Sequence, residues 1–381
     1  MKLNMLKYLS ERRLIMENKS FKNIVRLILI LVIIGGGVTF FLISRTPNYK
    51  INKTMKKMTL EQKIGQMIIS YYYSSECDKF LQQSIEKYGL GGLIILPNNI
   101  VDSKQLKTFI KDVQKTAKIP MFISINQEGG NVQALQSKED INITNIPTME
   151  EIGQKNDEKN AYSTGKIIAD DLTKFGINMN FAPVMDIKPA STRSFSEDED
   201  IVSKMGISVA KGMKENGVIP VYKHFPGIGE AIYGGPNDMP ILSKTKEELS
   251  KKELVPFKKI IKEGADIIMI GHVFIPEIDK DMPASLSKKV INNLLKKELG
   301  FDGLVITDAL NSGYFKDKYS SKEILINTIN AGTNMLLLPG ASKLTVEEII
   351  KAINNKKITE SQIDDSVRKI LELKYKYGII K

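Results

Sequence analysis

Five apolar, strand-like runs in this chain end in residues that can do chemistry. They close on SINQEGG (with Asn126), NFAPVMD (Asp186), YKHFPG (Lys223, His224), MIGHVFIPEID (His272) and VITDAL (Asp308). Carboxylates, imidazoles and an ammonium group serve proton transfer, nucleophilic attack and hydrogen bonding. Each has a bland reading when taken alone. A strand-end aspartate often caps the next helix, a single histidine is often a satisfied core polar group, and a strand-end lysine often points to solvent. Five polar ends on one ring, holding both of the chain's histidines, point instead to a pocket. The stretch KHFPGIGEAIYGGPNDMP (223–240) reads as the mouth of that pocket, and Glu230 and Asp238 are its only acidic groups.

The elements that must position these groups follow from the apolar pattern. Strand candidates fall at 64–70, 92–96, 120–126, 177–182, 219–223, 265–270, 303–307 and 334–338. Amphipathic helical patterns lie between most of them, for example at 103–118, 159–176 and 246–264. The last helix opens with the Thr-x-x-Gln cap pattern of ITESQ. This alternation implies parallel strands with helical crossovers, and eight strands in this length fit a (β/α)8 TIM-type barrel. A doubly wound open sheet is the alternative. No GxGxxG or P-loop pattern follows a strand, which counts against a nucleotide-binding version. In a barrel, functional groups gather at the C-terminal strand ends, where the polar residues above fall.

The chain has 381 residues and 42% apolar content, enough for a substantial core. Its single cysteine, Cys77, rules out an intrachain disulfide framework, and two histidines argue against a histidine-rich metal site. The net charge of +11 is not spread over the body. Residues 1–57 carry 12 Lys/Arg and 2 acids, so the rest is nearly neutral, which argues against nucleic-acid binding. The basic excess flanks IVRLILILVIIGGGVTFFLIS (24–44), about the length that crosses a bilayer as a helix. The expected organisation is a basic cytoplasmic tail (1–23), a transmembrane anchor (24–44), a polar linker (45–59) and the barrel (60–381) on the extracytoplasmic side of the cell membrane. A cleaved signal peptide is the rival, but ISRTPN is a poor cleavage site. Met16 begins a more typical leader, MENKSFKNIVRL, which makes 1–15 a candidate start-site artefact.

Several ordered motifs resemble those of a known family. NQEGGNVQ resembles a DQEGGRV-type strand end. NFAPVMDI followed by RSF (193–195), KHFPG, and PASLSKKVINNLLKKELGFDGLVITDAL have similar counterparts. Over residues 55–375 the chain resembles the N-terminal barrel of family 3 glycoside hydrolases, in the β-N-acetylglucosaminidase branch. The resemblance implies a retaining mechanism with Asp308 as nucleophile, forming a covalent glycosyl-enzyme. It places Lys223, His224, Arg193, Asn126, His272 and Asp186 among the substrate-binding positions, and it requires no cofactor and no metal.

Departures from the family pattern carry equal information. The branch reads KHFPGHG and then D-S-H, whose histidine is the general acid/base and whose aspartate orients it. Counting back from Met239–Pro240, the D-S-H positions fall on Gly234, Gly235 and Pro236, and the HG histidine on Ile228. The strand-three aspartate is Asn126 and the following arginine is Asn131. Glu230 and Asp238 are the candidate substitute acids. The expectation is a membrane-anchored hydrolase of GlcNAc-containing glycans such as peptidoglycan fragments. The alternative is a degenerate member that binds glycan or a cell-wall protein partner without turnover.

Overall fold

The computed structural model describes residues 46–381 apart from 139, 189–190, 236–237, 316–317 and 341–342, together with 5, 7–13, 16 and 23. The chain divides into two compact units, 1–56 and 57–381. In the first, the expected polar linker contains a helix, Pro47–Met55. Thr46 caps it through its side chain, and Pro47 takes the first turn, where its missing N–H costs nothing. The proposed anchor at 24–44 lies outside the described residues. Among those described, no helix is long and apolar enough to cross a membrane.

The second unit is a ring of short parallel strands. They are β1 (Ile68–Tyr71), β2 (Gly92–Ile95), β3 (Phe122–Ile125), β4 (Met179–Asn180), β5 in two pieces (Ile219–Pro220 and Tyr222–Phe225), β6 (Ile267–Ile270), β7 (Leu304–Thr307) and β8 (Leu336–Pro339). β1 pairs with β8 (Ile68↔Leu336) and with β2, and pairing continues through β3 and β4 to the first piece of β5. The second piece of β5 pairs with β6, and β6 pairs with β7. A parallel bridge, Ile306↔Met335, joins β7 to the start of the last strand and completes the circuit. The strands are buried almost throughout, as parallel strands covered on both faces must be.

The outer helices form for local reasons. Ser103–Thr116 is capped by Asp102 and buries Leu106, Phe109, Ile110 and Val113, one stripe of a 3.6-residue repeat. Glu360–Lys376 starts with the expected capping box of Thr359 and Gln362. Two expectations need correction. The first strand begins at Ile68 and not at 64, because Thr59 and Gln62 form a capping box that winds Leu60–Gln66 into a helix. The helix expected over 246–264 is two, Lys246–Lys251 and Leu254–Lys262. Pro256 lacks the N–H that would extend one helix into the other, but it is tolerated in a first turn.

Candidate active site

The C-terminal strand ends converge, and each functional side chain is held by a local device. After β3 the chain folds into a small hairpin, Gln127–Gly129 against Val132–Gln133. Gly129 turns it with φ 121°, and a Cβ there would stand 2.5 Å from the Pro147 carbonyl. This hairpin delivers Glu128 into the barrel mouth, buried. Beyond β4 the chain stays beside β5 through a parallel Val184↔Lys223 bridge, which sets Asp186 next to His224. The Ser194 hydroxyl accepts from the Lys188 N–H (3.2 Å) and donates to the Asp186 carbonyl (2.7 Å). That turn carries the neighbouring Arg193.

Glu128 is the hub of one half of the site. Lys223 Nζ lies 2.6 Å from Glu128 Oε1 and donates to Asn126 Oδ1 at 2.9 Å. Arg193 donates in a fork, Nε to Oε2 and Nη2 to Oε1, both 2.8 Å. Burial alone would raise the Glu128 carboxyl. Lys223 and Arg193 overcome it and hold the group at about 2. Glu128 therefore stays ionised and orients both cations.

The other half is built around histidines. His224 Nδ1 sits 2.7 Å from Asp186 Oδ2, and Asp186 Oδ1 also accepts the Ile228 N–H at 2.9 Å. Asp186 is thus consumed in orienting His224 and the loop start. It was expected among the substrate contacts, but the structure makes it a positioning residue. Gly271 permits this packing, since a Cβ there would lie 2.8 Å from His224 Cβ.

His272 needs the same correction. Its Nε2 lies 3.0 Å from the Ala309 carbonyl and its Nδ1 2.8 Å from Ser285 Oγ. A carbonyl only accepts, so Nε2 carries the proton and Nδ1 accepts from the serine. Burial pushes the imidazole below its ordinary value, which agrees with a neutral ring. With both nitrogens engaged, His272 braces the turn that carries Asp308.

Asp308 follows β7, half-buried. Its N–H donates to the Ile270 carbonyl (3.0 Å), and its Oδ1 accepts the Ala309 N–H (2.7 Å). It caps no long helix. Burial pushes its carboxyl up, but His272, His224, the Ala309 N–H and Lys223 bring it below the ordinary value. Among the described residues Asp308 has no ion-pair partner, so its charge is left for a ligand.

The loop candidates fare differently. Glu230 accepts from Lys244 at 2.6 Å and Lys252 at 2.7 Å, and Lys244 also pairs with the buried Glu253. The two lysines hold the Glu230 carboxyl below its usual value. A group held ionised inside a salt-bridge network is no proton donor, so the expected role as substitute acid is withdrawn. Asp238 is exposed, and its Oδ2 turns to the loop's own glycines, 2.9 Å from where a Cβ on Gly234 would stand. Pro236 lies outside the described residues. Glu128 was not singled out from sequence. The signal for it was its place in NQEGG.

An α/β barrel with a carboxylate at the end of its seventh strand defines a class, and comparison with known proteins gives the family. Residues 59–373 match the Glycosyl hydrolase family 3 N terminal domain. The chain belongs to that family. It is 27% identical over 367 residues to beta-hexosaminidase A of Pseudoalteromonas piscicida, covering 84% of this chain and 61% of that protein. It is 30% identical to a beta-hexosaminidase of Thiobacillus denitrificans, covering 69% of this chain and 75% of the other. Among solved structures, a family 3 beta-N-acetylglucosaminidase from Paenibacillus sp. str. FPU-7 superposes with a TM-score of 0.79 at 31% identity, over 84% of this chain and 63% of that one. The chain thus spans about three fifths of the length of the Pseudoalteromonas and Paenibacillus relatives.

Proposed function

We propose that this chain is a retaining glycoside hydrolase of the β-N-acetylhexosaminidase type. Asp308 attacks the anomeric carbon of a terminal GlcNAc residue, and water then releases the glycosyl-enzyme. The observation that carries the reading is the Asp308 carboxylate at the end of β7, held by the Ala309 N–H and without an ion-pair partner among the described residues. Its charge serves both as nucleophile and as stabiliser of an oxocarbenium-like transition state. Lys223, His224 and Arg193, held by Glu128 and Asp186, are placed to bind sugar hydroxyls, and Asn126 adds a neutral amide. The substrates we propose are GlcNAc-containing glycans such as peptidoglycan fragments. The proposed location is the outer face of the cell membrane, with residues 24–44 as a single-pass anchor, on the strength of their apolar sequence and basic flanks.

A specific observation favours a second reading. The positions of the family's acid/base pair hold Gly234 and Pro236, and Glu230 is locked in ion pairs. A positioned donor is worth roughly 10²–10⁴-fold. Without one the chain would bind glycan, or a cell-wall partner, with little turnover. A single experiment separates the readings. The full chain in detergent is assayed on 2,4-dinitrophenyl N-acetylglucosaminide, whose leaving group needs no proton, and on a GlcNAc disaccharide. A hydrolase cleaves the aryl glycoside, and Asp308→Asn lowers that rate by at least about 10³-fold. No cleavage of either, with disaccharide binding that is lost in Lys223→Met, sinks the hydrolase reading and leaves the binding one.

A further inference from the structure

The turn after β1 presents an exposed aromatic ring, and strand register shows which way it faces. Tyr71, the last residue of β1, pairs with Ile94 of β2, and Ile94 pairs with Ser124 of β3. Residues in register across neighbouring strands share a face of the sheet, and adjacent residues along a strand alternate. The row next to Ser124 is Ile125 with Asn180. It faces the outer helices, because Asn180 Nδ2 lies 3.4 Å from Met213 Sδ on the helix Glu199–Glu215. The row of Ser124, Ile94 and Tyr71 therefore faces the barrel interior. Tyr73 meets Tyr71 edge to face, with centroids 5.7 Å apart and planes at 77°. Tyr72, between them, turns outward. Its ring stacks on Phe80 of the helix Lys79–Tyr88, and its hydroxyl donates to Asp78 Oδ2 at 2.6 Å. The backbone on both sides of Tyr73 is pinned, since the buried Asn99 side chain donates to the Tyr72 and Ser74 carbonyls. Tyr71 is 7% exposed and Tyr73 66%. Tyr73 is thus a firmly seated ring on the inner rim of the barrel mouth, with most of its surface open to water.

Only β8 separates β1 from β7. β8 pairs with β1 up to Tyr71↔Pro339, and the Gly340 N–H donates to the Tyr71 carbonyl at 3.1 Å. On its other side the chain just past Asp308 leans onto β8, where the Leu310 N–H donates to the Leu337 carbonyl at 3.0 Å. Two strand spacings, about 10 Å, therefore part the strand that carries Asp308 from the strand that carries Tyr71 and Tyr73. That is too far to touch a sugar whose anomeric carbon lies at Asp308. It suits a ring further along the same glycan, on the side where the chain leaves the pocket. We propose that Tyr73 is a stacking platform for the leaving portion of the substrate, so that this site selects GlcNAc oligosaccharides over a single GlcNAc residue. The proposal rests on the reading of the Asp308 pocket as the seat of a terminal GlcNAc. One face of a pyranose is a sheet of C–H bonds, weakly positive, and the face of a tyrosine ring is weakly negative. A protein partner is a poorer fit. It needs roughly 800 Å² on each side, several times what one tyrosine offers. The pinned backbone means that little ordering is required when the sugar lands.

The test measures binding by calorimetry, with the full chain in detergent and Asp308→Asn as the background that blocks turnover. The ligands are methyl β-N-acetylglucosaminide and the β-1,4-linked GlcNAc trisaccharide. Tyr73→Ala removes the ring, and Tyr73→Phe keeps it and removes only the hydroxyl. Tyr73→Ala is expected to weaken the trisaccharide by about 3- to 10-fold and to leave the one-sugar ligand within about twofold. Tyr73→Phe is expected to stay within about twofold of the background on both. No loss in Tyr73→Ala overturns the proposal. An equal loss on both ligands also overturns it, because the ring would then act through the shape of the pocket. So does a loss in Tyr73→Phe as large as in Tyr73→Ala, which would make the contact a hydroxyl hydrogen bond. If neither ligand binds the background protein, the reading of the pocket falls and Tyr73 with it. If both bind and Tyr73→Ala changes neither, only the platform falls.

Discussion

Replacing Glu128 by Gln removes one negative charge from between two cations and changes little else in shape. In the wild type Lys223 and Arg193 hold the Glu128 carboxyl at about 2, against an ordinary value near 4.5. That difference of about 2.5 units, at 1.36 kcal/mol each, is linked to about 3 kcal/mol of stability at pH 7. The group is buried, so solvent screening does not erase the effect. The sign follows from proton binding. A depressed folded value means that the unfolded state binds the proton more readily, so the contribution is full above the unfolded value and fades as pH falls toward the folded one. Denaturation of both proteins by urea at pH 7 and pH 3 measures it. Glu128→Gln is expected to be less stable by about 3 kcal/mol at pH 7 and by only about 1 kcal/mol at pH 3. A gap that stays constant between the two pH values would refute the reasoning, because the loss would then come from shape and not from charge. The same variant should raise KM for any glycan bound at Lys223, since that ammonium loses its 2.6 Å partner.

Other perturbations follow from single contacts. Lys374 is fully buried, donates to Gln66 Oε1 at 2.9 Å and lies over the Phe122 ring, and burial pushes its ammonium down to about 7. The unfolded chain keeps that proton to about pH 10.4, so wild-type stability rises between about pH 7 and 10. Lys374→Met should flatten that rise and stabilise the protein at pH 7 by up to about 4 kcal/mol, read from urea midpoints at both pH values. Gly271→Ala should cost about 1–3 kcal/mol and displace His224, seen as a lowered melting temperature with a shifted imidazole resonance. Ser285→Ala removes the donor to His272 Nδ1 and should cost about 1 kcal/mol while lowering kcat more than it changes KM. Disaccharide affinity that falls as much as kcat would instead make His272 a ligand contact.

Much of the architecture could be read from the chain because barrel strands are buried on both faces. Runs such as GLII, IIMI and LVIT appear as unbroken apolar blocks between amphipathic helices. The reading slipped where two signals overlapped. Residues 64–67 are apolar enough to extend a strand, yet Thr59 and Gln62 commit them to a helix. The helix at Pro47–Met55 hid in a polar stretch whose only marker was the Thr46–Pro47 pair. In the site, position along the strands was legible and partnership was not. Asp186, His224, His272 and Asp308 could all be found at strand ends. That Asp186 is consumed by His224 and the Ile228 N–H depends on contacts between different loops. The role of Glu128 depends likewise on Arg193 and Lys223, far along the chain. Glu230 looked like a free acid because Lys244 and Lys252 follow it at no recognisable spacing.

These partnerships bear on what kind of substrate the pocket can turn over. Its electrostatic provision is lopsided. Glu128 spends its charge on orienting Lys223 and Arg193, and Asp186 spends its own on orienting His224. Under the proposed function, Asp308 alone keeps a carboxylate for the anomeric carbon. On that reading, binding and nucleophilic attack are supplied by preorganised groups, which act without reorganisation when charge develops. Proton delivery has no such provision, since the positions where the related branch carries its proton-transfer pair hold Gly234 and Pro236. A pocket of this kind lowers the barrier for forming the glycosyl-enzyme more than for expelling a poor leaving group. Its rates should therefore depend steeply on the acidity of the departing group. Among natural glycans the same imbalance favours those whose aglycone supplies a hydrogen-bond donor beside the glycosidic oxygen.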